Sequence, residues 1–352
     1  MRLSEALECV QHAILENTPA HLSGAPGIGK TEGVASMAAR NDWAFMSTTL
    51  ATLESVDLRG LPAHGADGAV VWSVPDFLVE LRKLAASDPT RLVVWLIDEI
   101  TALNASVQVP CMQLIRERHI GPHYLPENVR IVTAGNRQSD RAAAQRMGTA
   151  LANRLLHFDV DSPATPDGVK EWCAWGAAND IAPVMLAFIM LRGASNGLAG
   201  APGFQPGMLH HFDPNNAAAM AFPTPRSVAS ASRFVERPKY LRQRLIKAAC
   251  GEIFAAEFEG FAEVYASLPS PLAIASNPDA AAVPDRAHLQ YAIAMALARY
   301  AKASNFAALL RYMGRVGAAF SVAMVTEALR RNPDLTDTPA FTNWRAANPA
   351  FN

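Results

Sequence analysis

The chain reads as α/β: an αβα sandwich around a five-stranded parallel sheet, followed by an all-helical region. Through residue 160, short apolar runs alternate with helical periodicity, the pattern of parallel strands joined by crossover helices. From residue 161 on, no convincing strand follows and apolar residues recur at helical spacing. With 352 residues, the length suits about two domains, expected here as 1–160 and 161–352.

Five runs qualify as strands: residues 20–22, 43–48, 92–97, 129–134 and 155–160. Residues 30–40 and 77–85 read as helices between them. So does the run from about 107 to 118, although Pro110 stands near its start. In the second region, residues 193–225 are rich in Gly, Pro and Asn and predict a long connection. Helical patterns resume from about 226 to 265 and, after a Pro-punctuated stretch, from about 285 to 331.

Composition narrows the partners. Lys plus Arg number 31 against 32 Asp plus Glu, so the global basic excess of a phosphate-tracking protein is missing and nucleic acid is not the default partner. The four cysteines form no C-x-x-C pair, which leaves a disulfide scaffold and a zinc knuckle without support and fits a reducing cytoplasm. Glu5, Glu8 and Glu16 interrupt the opening twenty residues, where an export signal needs an uncharged apolar run. The longest apolar stretches run to about a dozen residues, short of the ~20 of a membrane span, so the expectation is a soluble, cytoplasmic protein.

The strongest motif is GAPGIGKT, residues 24–31. It satisfies the phosphate-binding (Walker A) pattern G-x-x-x-x-G-K-S/T between an apolar strand and a helix. The loop of Gly24, Ala25, Pro26, Gly27, Ile28 and Gly29 would wrap a phosphate at a helix N-terminus, every residue but Pro26 having a backbone N–H to turn toward it, with Glu32 in the same first turn. Lys30 would reach the β- and γ-phosphates, and the Thr31 hydroxyl would ligate Mg²⁺. RLVVWLIDEI, residues 91–100, ends a strand on two adjacent carboxylates. Beside a phosphate loop, Asp98 suits the Mg²⁺ shell, through a water, and Glu99 suits polarising an attacking water.

VRIVTAGNR ends a later strand on Asn136, a neutral amide able to orient that water. ALANR sets Arg154 just before the fifth strand. An arginine there can stabilise phosphoryl-transfer charge, and if it points away from its own site it must serve a neighbour. The N-K-x-D pattern of guanine recognition is absent: Asn136-Arg137-Gln138-Ser139 lacks both Lys and Asp, which favours ATP over GTP. Two other patterns lack context. GASNG around Ser195 fits G-x-S-x-G, but a helix precedes it and a loop follows. His119 and His123 flank Gly121-Pro122, so they cannot share a helix face as zinc ligands.

In this order the motifs resemble those of the AAA+ ATPases, specifically the MoxR-like branch of the helix-2-insert clade. DLRGLP (57–62), RERHIGPHYLP (116–126), AGNRQSDRAAAQRM (134–147), ALANRLLHFDV (150–160), FPTPRS (222–227) and LTDTPAFTNW near the C-terminus carry the likeness. The resemblance implies a helical lid after the sheet domain, a ring, commonly a hexamer, with ATP at subunit interfaces, and chaperone-like remodelling with a partner carrying a von Willebrand factor A (VWA) domain. It implies Lys30 and Thr31 at phosphate and Mg²⁺, Asp98 and Glu99 as metal and water-activating carboxylates, and Asn136 as sensor. Arg154 is similar to the finger given to the adjacent subunit, and Arg226 to the lid arginine that senses the γ-phosphate. Residues 51–78 look like the clade's insert, with 61–62 and 69–72 able to form a hairpin around 64–68. The chain departs from the family in Ile100-Thr101-Ala102-Leu103-Asn104 after Glu99, and in Val228 where Trp is usual. A nucleic-acid translocase or restriction-type motor, since related AAA+ rings share the same insert and the stretch 226–247 is locally basic, and a low-turnover nucleotide-gated binding module are the alternatives.

Overall fold

The computed structural model describes residues 1–50, 53–64, 69–140, 145, 147–196, 205–213 and 220–348, with the backbone alone at 55, 105 and 106. These residues fall into two compact units, Met1–Ser162 joined by Phe212 and Asp213, and Pro163–His211 with the residues from 220 onward.

In the first unit, strands β1 (Ala20–Gly24), β2 (Ala44–Thr49), β5 (Val93–Asp98), β8 (Val129–Gly135) and β9 (Leu156–Val160) form one parallel sheet in the order β2-β5-β8-β1-β9. This is the αβα phosphate-loop arrangement that the sequence predicts. Register follows from burial. On β5, Val93, Trp95 and Ile97 face one core while Val94 and Leu96 face the other, so the strand is an unbroken apolar run, as a doubly covered parallel strand must be. The edge strand β9 is largely exposed until Val160 and tolerates His157 and Asp159 for that reason.

Helices α1 (Leu3–Leu15) and α2 (Lys30–Arg40) cover one face through Leu7, Val10, Ile14, Val34 and Met37. The other face packs under α4 (Asp76–Ser87) and α5 (Ala105–Glu117), where Phe77 stacks on Trp95 at 5.6 Å between ring centroids. Helix α5 starts two residues earlier than its periodicity suggests, and Pro110 lies inside it.

Between β2 and α4 stand the short helix α3 (Ser55–Arg59) and an antiparallel hairpin of β3 (Pro62–His64) and β4 (Val70–Trp72). The hairpin is the one the sequence suggests; residues 65–68 at its turn lie outside the described residues. A second hairpin, β6 (His119–Ile120) with β7 (His123–Tyr124), follows α5. The four-residue helix α6 (Thr149–Ala152) precedes β9.

The second unit is helical throughout its described elements: α7 (Pro166–Ala178), α8 (Pro183–Arg192), α9 (Pro225–Ser232), α10 (Lys239–Cys250), α11 (Glu252–Ala266), α12 (Pro271–Ser276), α13 (Ala287–Tyr300), α14 (Phe306–Val316), α15 (Ala318–Arg331) and α16 (Pro339–Ala347). Its core is its own, with Phe188 set edge-on against Phe254 and Phe258 at 5.1 and 5.5 Å. The connection from 193 contains a single isolated bridge, Asn196 to Gln205, among its described residues. It ends at Pro225, where α9 begins one residue before the predicted resumption. No helix among the described residues is long and apolar enough to cross a membrane.

Candidate functional site

Parallel strands bring their C-terminal ends to one edge of the sheet, and open α/β folds bind ligands there. Strand β1 runs into the glycine-rich loop, β5 into Asp98-Glu99, and β8 into Asn136. Gly27 and Gly29 take φ of +76° and +99°, a left-handed backbone that a side chain would strain. Helix α2 opens directly on Lys30.

The side chains converge. Lys30 Nζ, buried, donates to Gly24 O (2.8 Å), Ala25 O (3.1 Å) and Asn136 Oδ1 (3.2 Å). The Thr31 hydroxyl donates to Asp98 Oδ2 at 2.6 Å, and Asp98 Oδ1 accepts from Glu99 N at 2.9 Å. Asn136 Nδ2 in turn donates to Glu99 Oε2 at 3.2 Å. One amide therefore bridges the phosphate-loop lysine and the outer carboxylate. Glu99 holds φ +55°, a strained conformation for a residue with a side chain, of the kind found at reacting centres.

The donor set fits a hydrated Mg²⁺: one hydroxyl and one carboxylate oxygen, both hard ligands, meet beside a loop built for phosphate. Glu32 lies exposed in the first turn of α2, outside the hydrogen bonds that join Lys30, Thr31, Asp98, Glu99 and Asn136. Pro26 and Ile28 shape the loop, and Ile28 is buried in the α1/α2 core.

Sequence reasoning overlooked Thr101. Its hydroxyl accepts from Asn136 N at 3.1 Å, and its carbonyl accepts from Gln145 N at 2.7 Å. The departure after Glu99 was the available signal: Thr101 occupies the 3-10 turn Ile100–Ala102 and anchors the strand end that carries Asn136. Arg137 adds a second anchor, donating to Asp159 Oδ1 and Val160 O, both at 2.6 Å. Burial opposes ionisation of Asp159, but the hydrogen bonds from Arg137 and Ser23 outweigh it and hold its carboxyl below the usual range.

Arg154 is apart from this cluster. It follows α6 and stands two residues before Leu156, which pairs with Ala20 at the start of β1. It therefore lies at the N-terminal edge of the sheet, whereas the phosphate loop leaves the C-terminal edge. One guanidinium nitrogen donates to Ala150 O, and Nε is buried without a partner. Arg226 belongs to the second unit, exposed in the first turn of α9. FPTPRS is a capping box: Thr224 Oγ1 accepts from Ser227 N (3.1 Å) and Ser227 Oγ from Thr224 N (2.8 Å), with Pro225 opening the helix.

The discounted patterns have structural roles. Ser195 Oγ accepts from Gly207 N at 3.0 Å, and no strand leads into it. His119 pairs with Glu117 at 3.1 Å, and His123 contacts Ser73 O. No group of three or more metal-ligating side chains occurs among the described residues. Burial pushes the thiols of Cys111, Cys173 and Cys250 up to about 12, so none supplies a thiolate.

No family model and no curated protein matches the chain. Among solved structures, it is similar to RuvB of Thermotoga maritima at 18% identity, covering 75% of this chain and 68% of that one with a TM-score of 0.39. It is also similar to NtrX of Brucella abortus in complex with ADP, at 13% identity, over 93% of this chain and 66% of that one with a TM-score of 0.40. Both are remote likenesses of backbone course.

Proposed function

We propose that this chain is an ATP-hydrolysing AAA+ motor of the MoxR type, working as a ring, commonly a hexamer, that remodels a protein client together with a VWA-domain partner. The observation that carries the ATPase reading is the convergence of Thr31 on Asp98 at 2.6 Å, beside the Lys30–Asn136–Glu99 chain. The MoxR branch, the ring and the partner rest on the resemblance of the motifs.

In this reading the loop N–H groups and Lys30 bind the β- and γ-phosphates, Lys30 exchanging its loop carbonyls for phosphate oxygens. Thr31, and Asp98 through a water, would hold Mg²⁺, which would supply positive charge to neutralise the phosphate oxygens. Asn136 orients the attacking water, and Glu99 accepts its proton as oxygen bonds to the γ-phosphorus and the bond to the bridging oxygen of ADP breaks. The products are ADP and inorganic phosphate. Arg154, on the opposite edge of its own sheet, serves the site of an adjacent subunit, and Arg226 reports nucleotide state from the lid.

The test is ATP turnover per subunit against protein concentration, for wild type, Lys30→Ala, Arg154→Ala and an equimolar mixture of the two variants. Turnover that rises with concentration, and that the mixture recovers where neither variant has it, supports a site shared between subunits. Concentration-independent turnover with Arg154→Ala as active as wild type would sink the ring.

A second reading, movement on nucleic acid, draws on one surface. Arg237 and Arg244 lie exposed about α10 without side-chain partners among the described residues, on either side of the exposed Tyr240. It requires DNA binding that weakens steeply between roughly 50 and 200 mM salt.

A further inference from the structure

A cavity of about 260 Å³ lies in the first unit between α3, α5 and the end of α6, lined by Arg59, Val109, Pro110, Met112, Gln113, Arg116, Glu117 and Arg154. Three guanidinium groups face one carboxylate. That carboxylate is already engaged, since Glu117 accepts from Gln113 Nε2 at 3.2 Å and pairs with His119 at 3.1 Å. Arg59 and Arg116 are exposed and make no side-chain hydrogen bond or ion pair among the described residues, while Arg154 keeps a buried Nε without a partner. Like charges gathered around one concavity repel unless an anion enters. Planar guanidinium forks at such a point suit phosphate or carboxylate oxygens.

Topology excludes the chain's own nucleotide. Helix α5 leaves the C-terminal edge of the sheet after Asp98 and runs back, so that Arg118, just past Arg116, donates to Val129 O at the start of β8. Arg154 sits level with the start of β1. The pocket is thus at the N-terminal edge, separated from the phosphate loop by the length of a five-residue strand, about 16 Å at ~3.3 Å per residue. Its volume also falls below the roughly 300–1,000 Å³ of sites that enclose a whole ligand, so it suits the end of an anion presented from outside.

We infer that Arg59 and Arg116 join Arg154 in one receiving pocket for phosphate, and that the phosphate is the terminal group of ATP held in the loop of a second copy of this chain. The inference rests on the reading of a site shared between subunits and adds two residues to it. Val109, Pro110 and Met112 supply the apolar part of its lining, which a neighbouring copy would cover on docking; the guanidinium groups, exposed in the single chain, would then act more strongly than in bulk solvent.

Arg59→Ala and Arg116→Ala should each lower turnover at least tenfold while binding fluorescent ATP as wild type does, because Lys30 and its loop are untouched. Mixed with Lys30→Ala, the Arg116→Ala chain should regain turnover, since random assembly leaves about a quarter of head-to-tail interfaces with an intact loop facing an intact pocket. Arg116→Lys, which keeps the charge and loses the fork, should fall between. If Arg59→Ala and Arg116→Ala turn over like wild type, or no mixture recovers activity while the Arg154→Ala mixture does, the inference fails and the shared site stands. If the Arg154→Ala mixture fails as well, the shared site itself is wrong. Inorganic pyrophosphate titrated into Lys30→Ala tells the two phosphate sources apart: tight binding there that Arg116→Ala abolishes would assign the pocket to a free anion and overturn the partner-copy source.

Discussion

At the scale of single residues, the sheet carries one buried titratable group whose cost is measurable. His21, in the middle of β1, is almost fully buried, and burial first, then the nearby His157 and Lys30, lower its pKa from 6.5 to about 3. Thr133 spends its hydroxyl proton on Ala20 O at 3.2 Å, so the 2.8 Å contact from His21 Nδ1 assigns the proton to Nδ1 of a neutral ring. Above pH 6.5 folded and unfolded forms are both neutral, and His21 contributes no pH dependence. Below it the unfolded chain takes a proton that the fold refuses, so stability falls as pH drops, until about pH 3. The slope is about 1.4 kcal/mol per pH unit, or about 2 kcal/mol between pH 6.5 and 5. His21→Asn retains a donor toward Thr133 at the place of Nδ1 and lacks the titration, so urea unfolding at pH 7 and pH 5 should find the variant gaining about that amount relative to wild type. An unchanged difference between the two pH values would show that the ring is not held neutral by burial.

At the scale of elements, the hairpin between β2 and α4 hangs on one backbone position. Gly60 follows α3 with φ +86° and ψ 174°, a region that only glycine occupies readily, and a Cβ there would stand 1.8 Å from Ser73 O. Around it Ser73 N donates to Leu61 O at 2.9 Å and Leu61 N to Ser73 Oγ at 2.8 Å, closing the hairpin base. Gly60→Ala should therefore cost of order 1–3 kcal/mol locally. Amide exchange at Ser73 and Val71 should speed up about 5- to 150-fold while the amides of β5 keep their protection; equal loss at both would mean that the hairpin is integral to the sheet. The hairpin was legible in residues 61–62 and 69–72, the turn at Gly60 was not, and the buried strands were legible because VVWLI has no reading as an amphipathic element. The phosphate loop, Asp98-Glu99 and Asn136 were legible for a related reason, since each follows a recognisable strand end. Thr101 and the pair Arg59 and Arg116 were not: their placement depends on how α3, α5 and the strand ends pack, which no local spacing encodes.

At the scale of the whole chain, the two units keep separate cores. Among the described residues, every buried apolar one of the sheet unit clusters with others of that unit, and Phe188, Phe254 and Phe258 belong to the core of the helical one. Heat should thus unfold the protein in two calorimetric transitions, since cooperativity follows a shared core. The assembled part of the proposed nucleotide site lies in the first unit, whereas Arg226 lies in the second. In a Glu99→Gln background, where ATP persists, MgATP at a hundred times its Kd should stabilise the binding unit by about 2.7 kcal/mol. If Arg226 contacts that nucleotide, the second transition must rise too, because the ligand then binds the folded form of both units and of neither unfolded one. Arg226→Ala in the same background should confine the shift to the first transition. Its side chain is exposed and its capping box is made by Thr224 and Ser227, so the variant leaves α9 intact and isolates the contact. A wild-type Arg226 chain in which only the first transition responds to MgATP would remove Arg226 from the proposed nucleotide site and leave that site to the glycine-rich loop with Lys30, Thr31, Asp98, Glu99 and Asn136.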